Sequence, residues 1–212
     1  MAESLEAIVQ RWRASPGTLL KLTLGNFRGA FKPGVTSEDY ESRLAALVKA
    51  CEPSLMTGLE KSTTRLISTR YEKKDVTVRF PINGNKVQTP EIYQPEHHTI
   101  PFRASNRRYS MAVVFTEKHE KPLDYHREKA DTYTLNDQTR FHYQGWTYVF
   151  NVMREGANAK EASSKPCRYE IHLEAGDVRH LPAAEIAALI YNRGCQLLGS
   201  HLNGERNEVV FV

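Results

Sequence analysis

Between Thr63 and Glu174 the chain repeats one texture: short runs in which apolar and polar residues alternate, with no helical pattern between them. A period of two puts successive side chains on opposite faces of a strand. The runs are Arg65 to Tyr71, Val76 to Phe80, Arg108 to Phe115, Asp131 to Leu135, Arg140 to Tyr143, Trp146 to Val152 and Tyr169 to Leu173. An earlier run, Leu20-Lys21-Leu22-Thr23-Leu24, alternates strictly. Turn clusters at Asn83-Gly84-Asn85 and Leu135-Asn136-Asp137 separate several of them. Many strands at short spacing, without helices between, predict an antiparallel sandwich or barrel instead of βαβ units.

Helices are predicted at the flanks. Glu3 to Arg13 places Leu5, Ile8, Val9 and Trp12 at helical spacing and stops at Ser15-Pro16-Gly17. Thr36 and Ser37 are good caps, and acidic Glu38 and Asp39 suit the first turn of a second helix carrying Tyr40, Leu44, Leu47 and Val48. A last helix opens at Pro182 and runs through Ile186, Leu189, Ile190 and Leu197. Val209 to Val212 is predicted as one further strand. The expected fold class is α+β, an antiparallel β-barrel packed by a few helices. No internal repeat or low-complexity linker divides residues 1–212, so one domain is expected.

Composition narrows the function classes. The chain is 40% hydrophobic and 25% charged, which fits neither a disordered tail nor a membrane protein. No run of about 18 apolar residues occurs, so no membrane partner is expected. Glu3 and Glu6 stand where a secretory leader needs a basic end, and an intracellular location is expected. Cys51, Cys167 and Cys195 are widely spaced, without a Cys-x-x-Cys pair, and read as thiols in a reducing compartment. The net charge of +4 permits a polyanionic partner without demanding one. No nucleophile elbow, phosphate-binding Gly-Lys loop or RNA-recognition signature is present.

The alternation sorts polar groups onto single faces. Thr77 and Arg79 share one side of their strand, Lys21 and Thr23 share one, and Glu170, His172 and Glu174 share one. In a closed barrel covered outside by helices, these faces line a wet interior suited to a multiply charged anion. In an open sheet they are simply solvated. Elsewhere, Glu96-His97-His98 lies between Pro95 and Pro101 and is expected to form a solvated loop, its adjacent histidines pointing to opposite sides. Arg103, Arg107 and Arg108 form a small basic cluster entering a strand.

The order of the segments resembles the tunnel-type mRNA 5′-triphosphatases of fungi and large DNA viruses. A strand and turn followed by TSEDYESRLAALV resembles the opening of that family. RYSMAVVF resembles its Arg-x-Ser-x-Ser strand, and YHREKADTY its basic Arg-x-Lys-x-Arg strand. GWTYVFNVMREG resembles the strand opening with Trp-Arg-Ile-Asp-Leu-Thr, and AKEASSKPCRYEIHLE the segment ending in Tyr-Glu-Ile-Glu-Leu-Glu. The likeness spans Leu19 to Leu198. It implies an eight-stranded tunnel that holds an RNA 5′-triphosphate among inward Arg and Lys. There, glutamates of the first and late strands bind a divalent metal that activates hydrolysis of the γ-phosphate.

The departures fall on the metal ligands. The Glu-x-Glu of the first strand is here Lys21 and Thr23, and the late pair is Glu170 and His172. The aspartate and threonine of the Trp strand are Val149 and Asn151, the last arginine of the basic strand is Asp131, and an expected acid is Val114, with Glu117 beyond it. An ammonium repels a cation where hard metals need oxygen. The resemblance therefore implies a relative without its metal site and with no cofactor, acting as a binding or scaffolding module in a viral capping or transcription assembly or particle. Its anion-binding residues would be Lys21, Arg79, Arg108, Arg127 and Lys129. Expected partners are an RNA 5′ end or another polyphosphate, and capping or viral proteins, in the host-cell cytoplasm or virion. Two alternatives stand beside it. One is an active 5′-triphosphatase using magnesium or manganese held by Glu170, Glu174 and His172; the other is an unrelated β-rich structural protein.

Overall fold

The structure, a computed structural model, describes residues 4–50, 58–105 and 109–198. Helix α1 (Leu5–Ala14) leads into β1 (Leu19–Arg28), β2 (Ala30–Pro33) and α2 (Ser37–Ala50). Then follow β3 (Glu60–Tyr71), β4 (Val76–Asn83), β5 (Lys86–Val87), β6 (Glu91–Ser105), β7 (Ser110–Glu120), β8 (Thr132–Tyr143) and β9 (Trp146–Gly156). A short α3 (Ala159–Ser164), β10 (Arg168–Ala175) and α4 (Ala183–Leu198) complete the described elements. The sheet runs β10-β9-β8-β3-β4-β6-β7-β1, and β10 pairs again with β1, so eight antiparallel strands close a barrel. β2 and β5 are short additions beside β1 and β4.

Strand parity persists around the whole circuit. Thr23 pairs with His172, His172 with Val149, Val149 with Arg140, and Arg140 with Ser62. On the same face of β3, Ser68 pairs with Arg79, and Arg79 with Glu91. From β6, Tyr93 pairs with Glu120, and on β7 Thr116 pairs with Leu19, which brings the face back to β1. This polar set faces inward. On β1, β9, β10 and the first half of β7 the opposite set is apolar and joins the core that the helices cover.

The hydrophobic core thus lies between barrel wall and helices. Leu20, Leu22 and Leu24 of β1, Met111, Val113 and Phe115 of β7, and Ile171 and Leu173 of β10 are all buried. They join Ile8, Val9 and Trp12 of α1 and Ile186, Ile190 and Leu197 of α4 in one cluster. A side chain at Gly194 would bring its Cβ to 2.6 Å from Met111 Sδ and 2.9 Å from Leu22 Cδ2, so glycine lets α4 settle directly on the wall. Two arginines close the helix ends. The Arg179 guanidinium lies over the Trp12 ring at 4.2 Å and donates to the carbonyls of Trp12, Ser15 and Thr18 past the end of α1. Arg43 of α2 donates to the Leu197 carbonyl at 2.6 Å. Tyr40 of α2 packs edge-on against Phe150, with ring centroids 5.6 Å apart.

Several local expectations are corrected. Leu135-Asn136-Asp137 is not a turn: β8 runs straight through it. Asn136 donates to Asn151 Oδ1 at 3.1 Å, and Asp137 accepts from Arg65 at 2.6 Å, so cross-strand partners outweigh the local turn preference. Glu96-His97-His98 is likewise strand, within β6. Pro95 is tolerated because β4 pairs with β6 only over Glu91 to Tyr93; beyond that, one side of β6 has no ladder to β4. The basic segment before Asp131 is a turn, with Tyr125 packed edge-on against Phe80 at 5.5 Å. Helix α3 was unexpected, although Asn158 and Glu161 form a readable capping box. Asn158 accepts from the Glu161 amide at 3.0 Å, and Glu161 accepts from the Ala157 amide at 3.2 Å. The strand expected at Val209 to Val212 lies outside the described residues.

Candidate functional site

The seam where β1 meets β10 sets Lys21 opposite Glu174 and Thr23 opposite His172, all on the inner face. Behind His172 a circuit of hydrogen bonds closes on itself. Arg140 donates to Gln138 Oε1 at 3.4 Å, which turns the Gln138 amide nitrogen toward Asn151 Oδ1 at 2.7 Å. Asn136 also donates to that oxygen, so Asn151 presents its NH2 to His172 Nδ1 at 3.2 Å. His172 Nδ1 must then accept, the ring proton sits on Nε2, and Nε2–H donates to Glu174 Oε1 at 3.1 Å. Arg140 binds the other Glu174 oxygen at 2.5 Å and completes the ring.

This circuit sets the charges. Burial by itself would raise the Glu174 carboxyl, but the His172 hydrogen bond and the Arg140 guanidinium bring it down to about 2. Burial pushes the His172 imidazole down against the pull of Glu174, with Lys21 adding to the depression, so the ring is neutral near pH 7. Burial also lowers Lys21, while Glu170 and Glu174 work to keep it charged and Arg79 opposes them.

Most inner charges are paired. Arg168 reaches Glu170 at 3.2 Å, Lys118 reaches Glu91 at 2.8 Å, and Arg70 binds Asp75. Two bases are left over. Lys21 has no carboxylate within 4.0 Å among the described residues, and Arg79 only a 3.9 Å approach to Glu91. Arg79 Nε and Thr23 Oγ1 are buried and have no hydrogen-bond partner. A closed barrel whose Lys21 and Arg79 lack a close carboxylate and whose inner face holds unsatisfied polar groups is chemically fit for a polyvalent oxyanion.

A closed eight-stranded barrel with this helical cover matches solved structures along nearly its whole length. The S. pombe Pct1 RNA triphosphatase superposes with a TM-score of 0.75 at 12% identity, over 95% of this chain and 94% of that one. This is the triphosphate-tunnel fold of RNA triphosphatases. The same S. pombe enzyme in complex with the Spt5 CTD gives 0.73 at 12% identity, over 95% of this chain and 96% of that one. The Mimivirus capping enzyme triphosphatase gives 0.61 at 10%, over 90% and 93% of the two chains. No family model matches the sequence, and no curated protein matches it.

Of the residues expected to bind anions, Lys21 and Arg79 line the tunnel. Arg127 and Lys129 do not: both are exposed on the turn between β7 and β8, and Arg127 pairs with Asp124 at 3.2 Å. That segment leaves the barrel to pack Tyr125 on Phe80, which carries its bases outside. Arg108 lies outside the described residues. The tunnel bases that sequence reasoning missed are Lys118, Arg140, Arg168 and Arg70. Arg168 shares the parity of Glu170 on β10 and was legible from the alternation, whereas the inward direction of Lys118, Arg140 and Arg70 followed only from the register of β7, β8 and β3.

Glu170, His172 and Glu174 share the inner face, and each is already engaged by other groups. Glu170 is paired with Arg168, both Glu174 oxygens are taken, and His172 Nε2 carries its proton. Lys21 adds an ammonium at the same seam. Among the described residues, the one trio with ligand atoms within 4.8 Å of one another is Glu96, Glu117 and His119. That trio has the opposite parity to Lys118 and His97, on the outer face of β6 and β7.

Proposed function

We propose that this chain binds the 5′-triphosphate end of RNA, or a related polyphosphate, inside its tunnel without a metal ion. In this reading it serves as a binding or scaffolding module of an mRNA-capping or transcription assembly inside the cell, in a viral setting. The carrying observation is Lys21, a half-buried cation on the first barrel strand with no carboxylate within ion-pair distance. A metal activates water by coordinating it, and an ammonium cannot orient a water in that way. What Lys21 can do, with Arg79 and its unpartnered Nε, is hold phosphate oxygens by charge-assisted hydrogen bonds. The assembly role is supported by the neighbours, one solved with the Spt5 CTD and another the triphosphatase of a capping enzyme. Among the described residues no helix is long and apolar enough to cross a membrane.

Titration of tripolyphosphate at low salt tests this reading. Wild type is expected to bind, more weakly as salt rises, and Lys21→Glu to bind much less. No binding by wild type would remove the reading. Manganese- or magnesium-dependent phosphate release from triphosphate-ended RNA, abolished by Glu170→Ala, would replace it with an active 5′-triphosphatase.

A further inference from the structure

One tunnel mouth holds a carboxylate where a ligand oxyanion would sit. Glu91, the first residue of β6, sends Oε2 to within 2.8 Å of Lys118 Nζ and 3.9 Å of an Arg79 nitrogen. Both bases also flank the Tyr93 ring, Arg79 at 5.4 Å and Lys118 at 4.7 Å from its centroid. Arg79, Lys118 and Tyr93 form one basic corner around an aromatic face, and Glu91 offsets half of its charge. Beside them opens a cavity of about 900 Å³ lined by Gly17, Glu91, Tyr93, Lys118 and Glu120. The corner is not saturated, because Arg79 Nε is buried with no partner.

We propose that Glu91 is an internal stand-in anion that sets the specificity of the tunnel, yielding Lys118 and Arg79 only to an oxyanion carrying several charges. The proposal rests on the reading of the tunnel as an anion site. Glu91 is built to leave. Its side chain is 47% exposed, and it follows Pro90 at the very start of a strand. A singly charged anion that displaces it merely exchanges one negative group for another. A triphosphate end carries several charges and can engage Lys118 and Arg79 together, which one side-chain carboxylate 3.9 Å from Arg79 does not. Lys118 and Arg79 also hold the Glu91 carboxyl below its ordinary value against the opposing effect of burial, so it stays ionised near neutral pH.

Glu91→Gln tests the proposal, because it keeps the shape and removes the charge. Tripolyphosphate and inorganic phosphate are titrated at low salt against wild type, Glu91→Gln and Glu96→Gln. The last variant removes an equal charge from the outer face of the same strand. Glu91→Gln is expected to tighten tripolyphosphate about five- to tenfold, as loss of a partly exposed competing charge should. Inorganic phosphate should become a measurable ligand, and Glu96→Gln should change little. No tightening in Glu91→Gln, or an equal gain in Glu96→Gln, overturns the proposal. If wild type fails to bind and Glu91→Gln binds, the stand-in role holds and the tunnel reading of the native chain falls. If neither binds, both fall.

Discussion

Lys21 stands opposite Glu174 across the β1–β10 seam, yet no ion pair joins them, because Arg140 and His172 already hold both Glu174 oxygens. The carboxylate nearest in register to the lysine is therefore engaged by other groups.

Asn151 is the link on which the circuit depends. It is 2% exposed, accepts from Asn136 and Gln138 and donates to His172. Asn151→Leu should leave two amides and His172 Nδ1 unsatisfied and cost about 1–3 kcal/mol. Denaturant unfolding measures it; an unchanged midpoint would mean that the circuit contributes nothing to stability.

The same circuit gives an acid signature. Glu174 has a folded pKa of about 2 against an ordinary 4.5. A depressed carboxylate contributes stability that is fully present above its unfolded pKa and is lost as pH falls through the folded one. The window is thus about pH 5 down to 2, and the contribution is on the order of 3 kcal/mol. Asp39, brought to about 2 by Tyr109, Arg43 and Thr36 against burial, acts in the same window, so wild type alone cannot separate them. The difference in Tm between wild type and Glu174→Gln should shrink as pH falls from 5 to 2. A difference that stays constant would count against the assignment.

Divalent metal should leave wild type untouched. Millimolar manganese is expected to produce no shift in Tm through the tunnel, since Glu170 and Glu174 are engaged and Lys21 repels a cation. Lys21→Glu with Thr23→Glu places two carboxylates beside Glu174 and His172 on the inner face. This variant should be less stable than wild type without metal and regain stability when manganese is added. Stabilisation by manganese that persists in Glu117→Gln, which disarms the outer-face trio, would refute the metal-free reading.

Packing of α4 on the barrel can be tested independently of the interior. Gly194→Ala forces a methyl against Met111 and Leu22, both buried. Overpacking there should cost about 1–3 kcal/mol, read as a lower denaturant midpoint. Equal stability would mean that the helix can lift off the wall at little cost.

The chain's own alternation determined which residues share a face. Lys21 with Thr23, Thr77 with Arg79, and Glu170 with His172 and Glu174 follow from the covalent period of a strand, which no tertiary contact can change. Helices α1, α2 and α4 were legible for the same reason, from their apolar spacing and caps. Closure was decided only by the tertiary structure. It depends on β1 finding β10, which begins 140 residues after β1 ends (168 minus 28), and on a register that puts Thr23 beside His172. The Arg140–Gln138–Asn151–His172–Glu174 circuit needs three strands in one alignment, and Arg127 and Lys129 fall outside because Tyr125 finds Phe80. Local sequence specifies the direction of a side chain relative to its neighbours. Which partner that direction meets is set by long-range pairing, whose free energy belongs to the assembled barrel and to no single segment.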